Sequence, residues 1–367
     1  MRILYILNTL AIGGAERLVI SLAERMAARG HEVRIVTLLE RVPEQWSTRV
    51  SVTHLDIGKS PLSAARGFAR ALGIVRRFRP HVVNSHNYQG NLFARGLKAA
   101  WPALRVVSTL HNEYEGGRAR MLSLRLTDSL TWRTIAVSEA VAERALQLKV
   151  VPKAKCGVIS NGIDLTEFEP DIARRARMRA ANSAGEDFIW LTAGRLTPAK
   201  DYPSLLRAFA QVHPTAPDSQ LWIAGDGDPD YTETLRVRAD LSDAAAEVVW
   251  LGMRRDMAAL LDAADGFVLS SAWEGMPLAL AEAMAMEKPI VATGVGGVGE
   301  LTYNCGLVVP PRNPDALARA MLSIMHTPPE AREFLGRAAR QRVLEKFNIE
   351  DKALQWERVY EECGGTD

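Results

Sequence analysis

The sequence predicts an α/β protein of two doubly wound, Rossmann-like domains, each a parallel sheet covered by helices on both faces. Three observations carry this. The chain has 367 residues, which at roughly 100 to 200 residues per domain makes two domains. Short apolar runs alternate with helical periods along most of the length, the pattern of βα repeats. The runs are apolar at consecutive positions, as in strands buried on both faces.

In the first half, Arg2–Leu7, Glu32–Leu38, His81–Ser85 and Val106–Leu110 read as strands, with helical patterns between them. The second half repeats the scheme with Phe188–Ala193, Gln220–Ala224, Val248–Leu251, Gly266–Leu269 and Pro289–Thr293. Between the halves, Val158-Ile-Ser-Asn-Gly-Ile-Asp164 ends a strand in a turn signal, and an irregular stretch runs on to Pro170. The expected domains are therefore residues 1–160 and 161–349, facing an interdomain cleft. A last helical pattern, Asp351–Glu362 within residues 350–367, carries Leu354, Trp356, Val359 and Tyr360. It is expected to pack back on either half, with the first domain as the assignment.

Apolar residues make up 47% and charged residues 24%, enough for buried cores and too little polarity for long disorder. Cys156, Cys305 and Cys363 are odd in number and form no CxxC pair, which argues against a disulfide scaffold or zinc ribbon and for a reducing compartment. One Arg precedes the first apolar run, as in a signal peptide, but Asn8 and Thr9 interrupt it and Gly13-Gly14 leads straight into a helical pattern. No other stretch reaches the roughly 18 apolar residues of a membrane span. A cytoplasmic location is expected.

Net charge is +2, but residues 1–160 hold 24 Lys+Arg against 11 Asp+Glu while the remainder holds 21 against 32. The basic half implies an anionic partner. Nucleic acid is not expected, because the aromatic platform that stacks single strands is missing.

In open parallel sheets ligands bind beyond the carboxyl ends of the strands, so the loops there deserve inspection. Gly13 and Gly14 precede a helix beginning at Ala15, where bare backbone and a helix start suit an anion, or simply a tight turn. His111 follows the strand ending at Leu110 and would donate to a substrate hydroxyl or phosphate, or exchange protons near neutral pH; a structural His is the alternative. The other histidines show no metal-ligand spacing, so neither a metal nor another cofactor is expected. Arg195 and Lys200 put two cations in the loop after Ala193, a pair suited to a diphosphate.

The most specific signal is Ser270-Ser-Ala-Trp-Glu274-Gly-Met-Pro-Leu-Ala-Leu-Ala-Glu282. Glu274 lies in a loop after a strand, Pro277 suits a first helical turn, and Glu282 follows inside the helix. The backbone of Gly275, Met276, Pro277 and Leu278 forms a helix entrance able to hold an anion. Two further motifs are read as decoys. Gly294-Val-Gly-Gly-Val-Gly299 fits a dinucleotide fingerprint but lacks the long helix and the following acid. Asp226-Gly-Asp228 looks like a paired-Asp metal motif but is dense in turn formers.

Together, Gly13-Gly-Ala-Glu16, His111, Val158–Asp164, Gly194-Arg195 with Lys200, Ala224-Gly-Asp-Gly227, and Glu274 with Glu282 in E-x₇-E spacing resemble the retaining glycosyltransferase family 4, over almost the whole chain. The resemblance implies the GT-B fold, with an acceptor-binding first domain and a second domain that binds a nucleotide-sugar donor. Gly14 would offer its backbone to the donor diphosphate, and Arg195 and Lys200 would neutralise it as the nucleotide departs. Glu282 would hold the ribose hydroxyls. Glu274, with the amides of Gly275, Met276 and Pro277, would orient the transferred sugar, and His111 would contact that sugar or the incoming hydroxyl. Glu274 as a covalent nucleophile is the less favoured version. Gly299 departs from the family's G-G-x-P-E by standing where many relatives carry Pro.

The implied activity is retaining, metal-independent transfer of a hexose or N-acetylhexosamine from a UDP-sugar to a polyprenyl-diphosphate-linked or other glycan acceptor, as in bacterial surface-polysaccharide assembly. A UDP-N-acetylglucosamine 2-epimerase-like enzyme and a non-catalytic nucleotide-sugar-binding protein are the alternatives. The helical pattern Ser63–Arg79 sets Phe68, Leu72, Val75 and Phe78 against Arg66, Arg70 and Arg77. Arg118, Arg120 and Arg125 are mixed with Met121, Leu122 and Leu124. These arginines suit an anionic membrane surface, each contributing roughly 1 kcal/mol there, with an arginine-rich composition without a membrane role as the alternative.

Overall fold

The structure, a computed structural model, describes residues 1–42, 46–240 and 242–365. The chain divides into two compact units, one of Met1–Gly162 with the C-terminal segment from Ile349 onward, the other of Ile163–Asn348.

The first unit contains strands β1 (Arg2–Leu7), β2 (Glu32–Thr37), β3 (Ser51–His54), β4 (Val82–His86), β5 (Val106–Leu110), β6 (Arg133–Ala136) and β7 (Cys156–Val158). They form one sheet in the order β3-β2-β1-β4-β5-β6-β7, and every pairing is parallel. The Arg2–Leu7 run is a central strand, almost wholly buried, which accounts for its apolar composition. One face is covered by Leu18, Val19, Leu22 and Met26 of the helix Gly14–Ala28, together with Ile349, Trp356 and Tyr360 of the helix Ile349–Gly364. The C-terminal helix thus packs on the first unit; Thr366 and Asp367 lie outside the described residues. The opposite face is covered by Ala71, Val75 and Phe78 of the helix Pro61–Phe78 and by Ala94 and Leu97 of the helix Asn87–Ala100.

The second unit contains β8 (Phe188–Ala193), β9 (Ser219–Ala224), β10 (Val248–Gly252), β11 (Gly266–Leu269), β12 (Ile290–Thr293) and β13 (Leu307–Val309). Their order is β10-β9-β8-β11-β12-β13, again parallel throughout. The helix Ile172–Ala181 is fixed to this unit by its arginines. Arg175 and Arg179 bond Asp265 at 2.6 and 3.0 Å, and Arg174 pairs with the buried Asp262.

All nine strands named from sequence are present, within one or two residues at each end. The unnamed strands β3, β6, β7 and β13 are three or four residues long. β3, β7 and β13 are also edge strands, so their side chains need not be apolar on both faces. No helix among the described residues is long and apolar enough to cross a membrane.

Candidate active site

In each sheet the first strand of the unit has later strands on both sides, so the strand order reverses next to it. In the second unit this switch lies between β8 and β11, and in the first between β1 and β4. Loops leaving adjacent strands at such a point run to opposite faces and open a crevice. The loop after β8 holds Arg195 and Lys200, and the loop after β11 holds Glu274. Topology therefore brings together residues 74 positions apart: Lys200 Nζ lies 2.5 Å from Glu274 Oε1.

That pair is held on both sides. Ser271 donates its hydroxyl to the same Glu274 oxygen at 2.6 Å, and Ser270 donates to the Lys200 carbonyl at 2.7 Å. Gly194 and Gly225 adopt φ of +151° and +154°, and a Cβ on Gly225 would overlap the Gly194 carbonyl, so glycine lets the two strand ends touch. Arg195 is exposed and has no ion-pair partner among the described residues. With Lys200 matched by Glu274, Arg195 supplies the net positive charge of this cluster.

Glu282 is buried on the helix Leu278–Ala285, in the turn above its start. Pro277 caps this helix, and one expectation is corrected here: a proline has no backbone N–H and cannot offer an amide. The backbone N–H groups at the entrance belong to Gly275, Met276 and Leu278, while Pro277 contributes shape. The glycine motif after β12 also finds its purpose. Gly296 has φ +51°, a Cβ there would overlap the Glu274 carbonyl, and Gly297 N–H donates to the Gly275 carbonyl at 2.7 Å. The loop is a backbone brace for Glu274 and Gly275. Its helix, Val298–Thr302, has only five residues. Asp226 and Asp228 accept from the N–H groups of Gly227 and Tyr231, so both carboxylates serve a turn and a helix start.

In the first unit, Gly13 caps the helix Gly14–Ala28 in extended backbone. A Cβ on Gly13 would overlap the Glu16 carboxylate, so Glu16 folds back over the helix start from the position it holds in a capping box. An anion approaching Gly13 and Gly14 meets this carboxylate first. Across the switch, Asn8 donates to Gln89 at 2.8 Å.

His111 lies at the end of β5 and is buried. Burial pushes it down to about 4, so proton exchange near neutral pH is not its chemistry; it is a neutral hydrogen-bonding group. Its Nε2 meets His86 Nδ1 at 3.0 Å, and its backbone N–H donates to Glu115 at 3.3 Å. Burial pushes Glu115 up to about 7, against hydrogen bonds from the backbone of His111, Asn112 and Tyr88. His86, Glu115 and Ser271 were not singled out from sequence, and Gly296 was read only as part of a decoy motif. The motif Asn84-Ser-His86 at a strand end was the one available signal for the first of them.

The basic surface needs one correction. Met121 and Leu124 are buried, so the exposed apolar residues around Arg118, Arg120 and Arg125 are Tyr114, Leu122 and Leu126. Tyr114 and Leu122, with Arg118 and Arg125, border a cavity of about 690 Å³ lined also by Arg144 and Leu148. Arg66 and Arg77 are exposed, whereas Arg70 pairs with Asp56 at 3.2 Å.

Two family profiles match the chain: "Glycosyltransferase Family 4" over residues 12–167 and "Glycosyl transferases group 1" over residues 187–327. Glycogen synthase of Mycobacterium tuberculosis is 29% identical over 95% of this chain and 91% of its own. The UDP-Gal:alpha-D-GlcNAc-diphosphoundecaprenol alpha-1,3-galactosyltransferase of Escherichia coli is 25% identical over 75% of this chain and 74% of its own. The crystal structure of Anabaena Alr3699/HepE in complex with UDP-glucose superposes with TM-score 0.86 at 20% identity, covering 99% of this chain and 100% of that one. With both units matched in sequence and the whole fold matched in space, the chain is a glycosyltransferase of family 4 with the GT-B fold.

Proposed function

We propose that the protein transfers a sugar from a nucleoside-diphosphate donor, a UDP-hexose or UDP-N-acetylhexosamine, to a lipid-diphosphate-linked glycan acceptor, with retention at the anomeric carbon and without a metal. The observation that carries this reading is the pairing of Lys200 with Glu274 at the second unit's switch point, in loops that also carry Arg195 and lead into the Leu278–Ala285 helix. A diphosphate leaving group gathers negative charge as it departs. Two cations and a helix start stabilise that charge more in the transition state than in the ground state.

In this reading Lys200 moves from Glu274 to the diphosphate, and Glu274, kept in place by Ser271, accepts from sugar hydroxyls. Glu282 accepts from the ribose hydroxyls, and Gly14 takes the diphosphate once Glu16 has swung aside. The bond from the anomeric carbon to the diphosphate oxygen breaks as the acceptor oxygen bonds to the same face, and the acceptor proton passes to the departing phosphate. The uridine preference draws support from the UDP-glucose bound to the Anabaena protein and the UDP-Gal named for the Escherichia coli relative. That relative's diphosphoundecaprenol substrate supports a lipid-linked acceptor. Leu122 and Leu126, 51% and 72% exposed beside Arg118 and Arg125, support peripheral binding to an anionic membrane on its cytoplasmic side.

The test incubates the protein with nucleotide sugars and lipid-diphosphate acceptors, chelator present, and follows nucleotide release. Release that requires the acceptor is expected. Epimer formation without acceptor, or release that stops with chelator, overturns the corresponding part. Flotation with anionic vesicles at low and high salt tests the membrane: absence of binding even at low salt refutes it.

A further inference from the structure

His111 lies at the end of a hydrogen-bonded chain that begins on the carbonyl of Val107 and contains three side chains. Asn84, fully buried on β4, donates its amide NH₂ to the Val107 carbonyl and to Thr109 Oγ1, each at 3.1 Å. A carbonyl only accepts, so this end of the amide is nitrogen and the other end is oxygen. That oxygen receives the Tyr360 hydroxyl at 3.0 Å and faces His86 Nε2 at 2.8 Å.

The consequences propagate. Facing an acceptor, His86 Nε2 carries the proton, so its Nδ1 is a lone pair. His111 Nε2, 3.0 Å from that lone pair, must in turn carry its proton. Its Nδ1 is then bare, and no hydrogen-bond partner for it exists among the described residues. Both rings are held neutral by burial, so the alternative of a shared extra proton does not arise near neutral pH. Tyr360 and Trp356 of the C-terminal helix back the chain, the indole centred 6.5 Å from the His86 ring.

We propose that Asn84 and His86 are positioning residues that lock His111 in its Nε2–H tautomer, so that Nδ1 is presented to the substrate as a pure acceptor. The group it selects is a hydroxyl that donates a proton. Phosphate oxygens, which need a donor, are rejected there. This deepens the proposed function, since it rests on His111 meeting a substrate sugar, but the tautomer itself does not depend on the donor.

Two readouts test it. The full chain labelled with ¹⁵N-histidine reports each tautomer through long-range proton–nitrogen couplings, with His86→Gln and His111→Gln variants assigning the signals. His86 and His111 are expected as neutral Nε2–H rings at pH 7, and Asn84→Leu is expected to release His111 into a mixture of tautomers. A wild-type His111 protonated at Nδ1 overturns the proposal. The second readout uses donors and acceptors carrying single deoxy and deoxyfluoro substitutions, because fluorine accepts but does not donate. At the hydroxyl that meets His111, both substitutions are expected to lower kcat/KM alike, about tenfold, and to lose that effect in His111→Ala. A fluoro analogue that restores what the deoxy analogue lost overturns the proposal. The spectra need no substrate, so they decide the tautomer even if no nucleotide sugar is turned over.

Discussion

Lys200 Nζ and Glu274 Oε1 lie 2.5 Å apart, although one side chain leaves the loop after β8 and the other the loop after β11. The pair means that the cluster's charge is already partly balanced and that Lys200 must exchange partners to reach a phosphate. Lys200→Ala is therefore expected to lower turnover by about 10²–10³, as loss of one transition-state charge contact does, while donor affinity falls less than about tenfold. Rapid-quench turnover and titration with UDP separate the two. Unchanged turnover removes Lys200 from the mechanism.

Glu282 is buried on the helix that follows Glu274, and the proposed reaction assigns it to the ribose rather than to the bond that breaks. Replacing it with Ala is expected to weaken UDP binding by roughly tenfold to a hundredfold, the worth of a hydrogen bond to a charged group. Calorimetry with UDP measures it. Equal affinity would place the ribose elsewhere.

Gly296 and Gly299 stand three residues apart in one motif and should respond oppositely. A Cβ on Gly296 meets the Glu274 carbonyl at φ +51°, so Gly296→Ala is expected to cost about 1–3 kcal/mol and to displace the Glu274 loop. A Cβ on Gly299 meets nothing within 4 Å in a helical turn, and Gly299→Ala should stabilise by up to about 1 kcal/mol. Thermal unfolding of both variants decides; equal shifts would contradict the brace.

Stability should fall with acid. His111 is pushed down to about 4 and His86 well below its usual 6.5, so both stabilise the folded chain above pH 6.5. Protonation of the unfolded chain removes that stabilisation as pH falls from 6.5 towards 4, on the order of 3 kcal/mol for His111. Glu115, pushed up to about 7, opposes this: its contribution is complete below about 4.5 and disappears as pH rises through 7. Urea midpoints between pH 7.5 and 4.5 should decline, and decline more steeply in Glu115→Gln. A flat profile in that variant would show that the imidazoles are not held neutral.

Local composition was enough for the long interior strands, because burial on both faces demands consecutive apolar residues, as at Arg2–Leu7 and Phe188–Ala193. It was enough for the charged loops as well, since Glu274 and Glu282 stand out against apolar neighbours in the sequence and Arg195 and Lys200 put two cations in one strand-end loop. It did not reveal the edge strand Leu307–Val309, whose side chains are largely exposed, nor the work of Gly296, which depends on a carbonyl 22 positions earlier in the chain. His86 is the clearest case. Its ring meets Asn84 of its own strand, His111 beyond β5 and Trp356 of the C-terminal helix, and its proton is assigned only once the Val107 carbonyl of β5 has oriented the Asn84 amide. Burial leaves a pattern along the chain because every residue of a strand feels it. Partnership leaves none, because hydrogen-bond partners from distant strands meet only when the sheet is assembled.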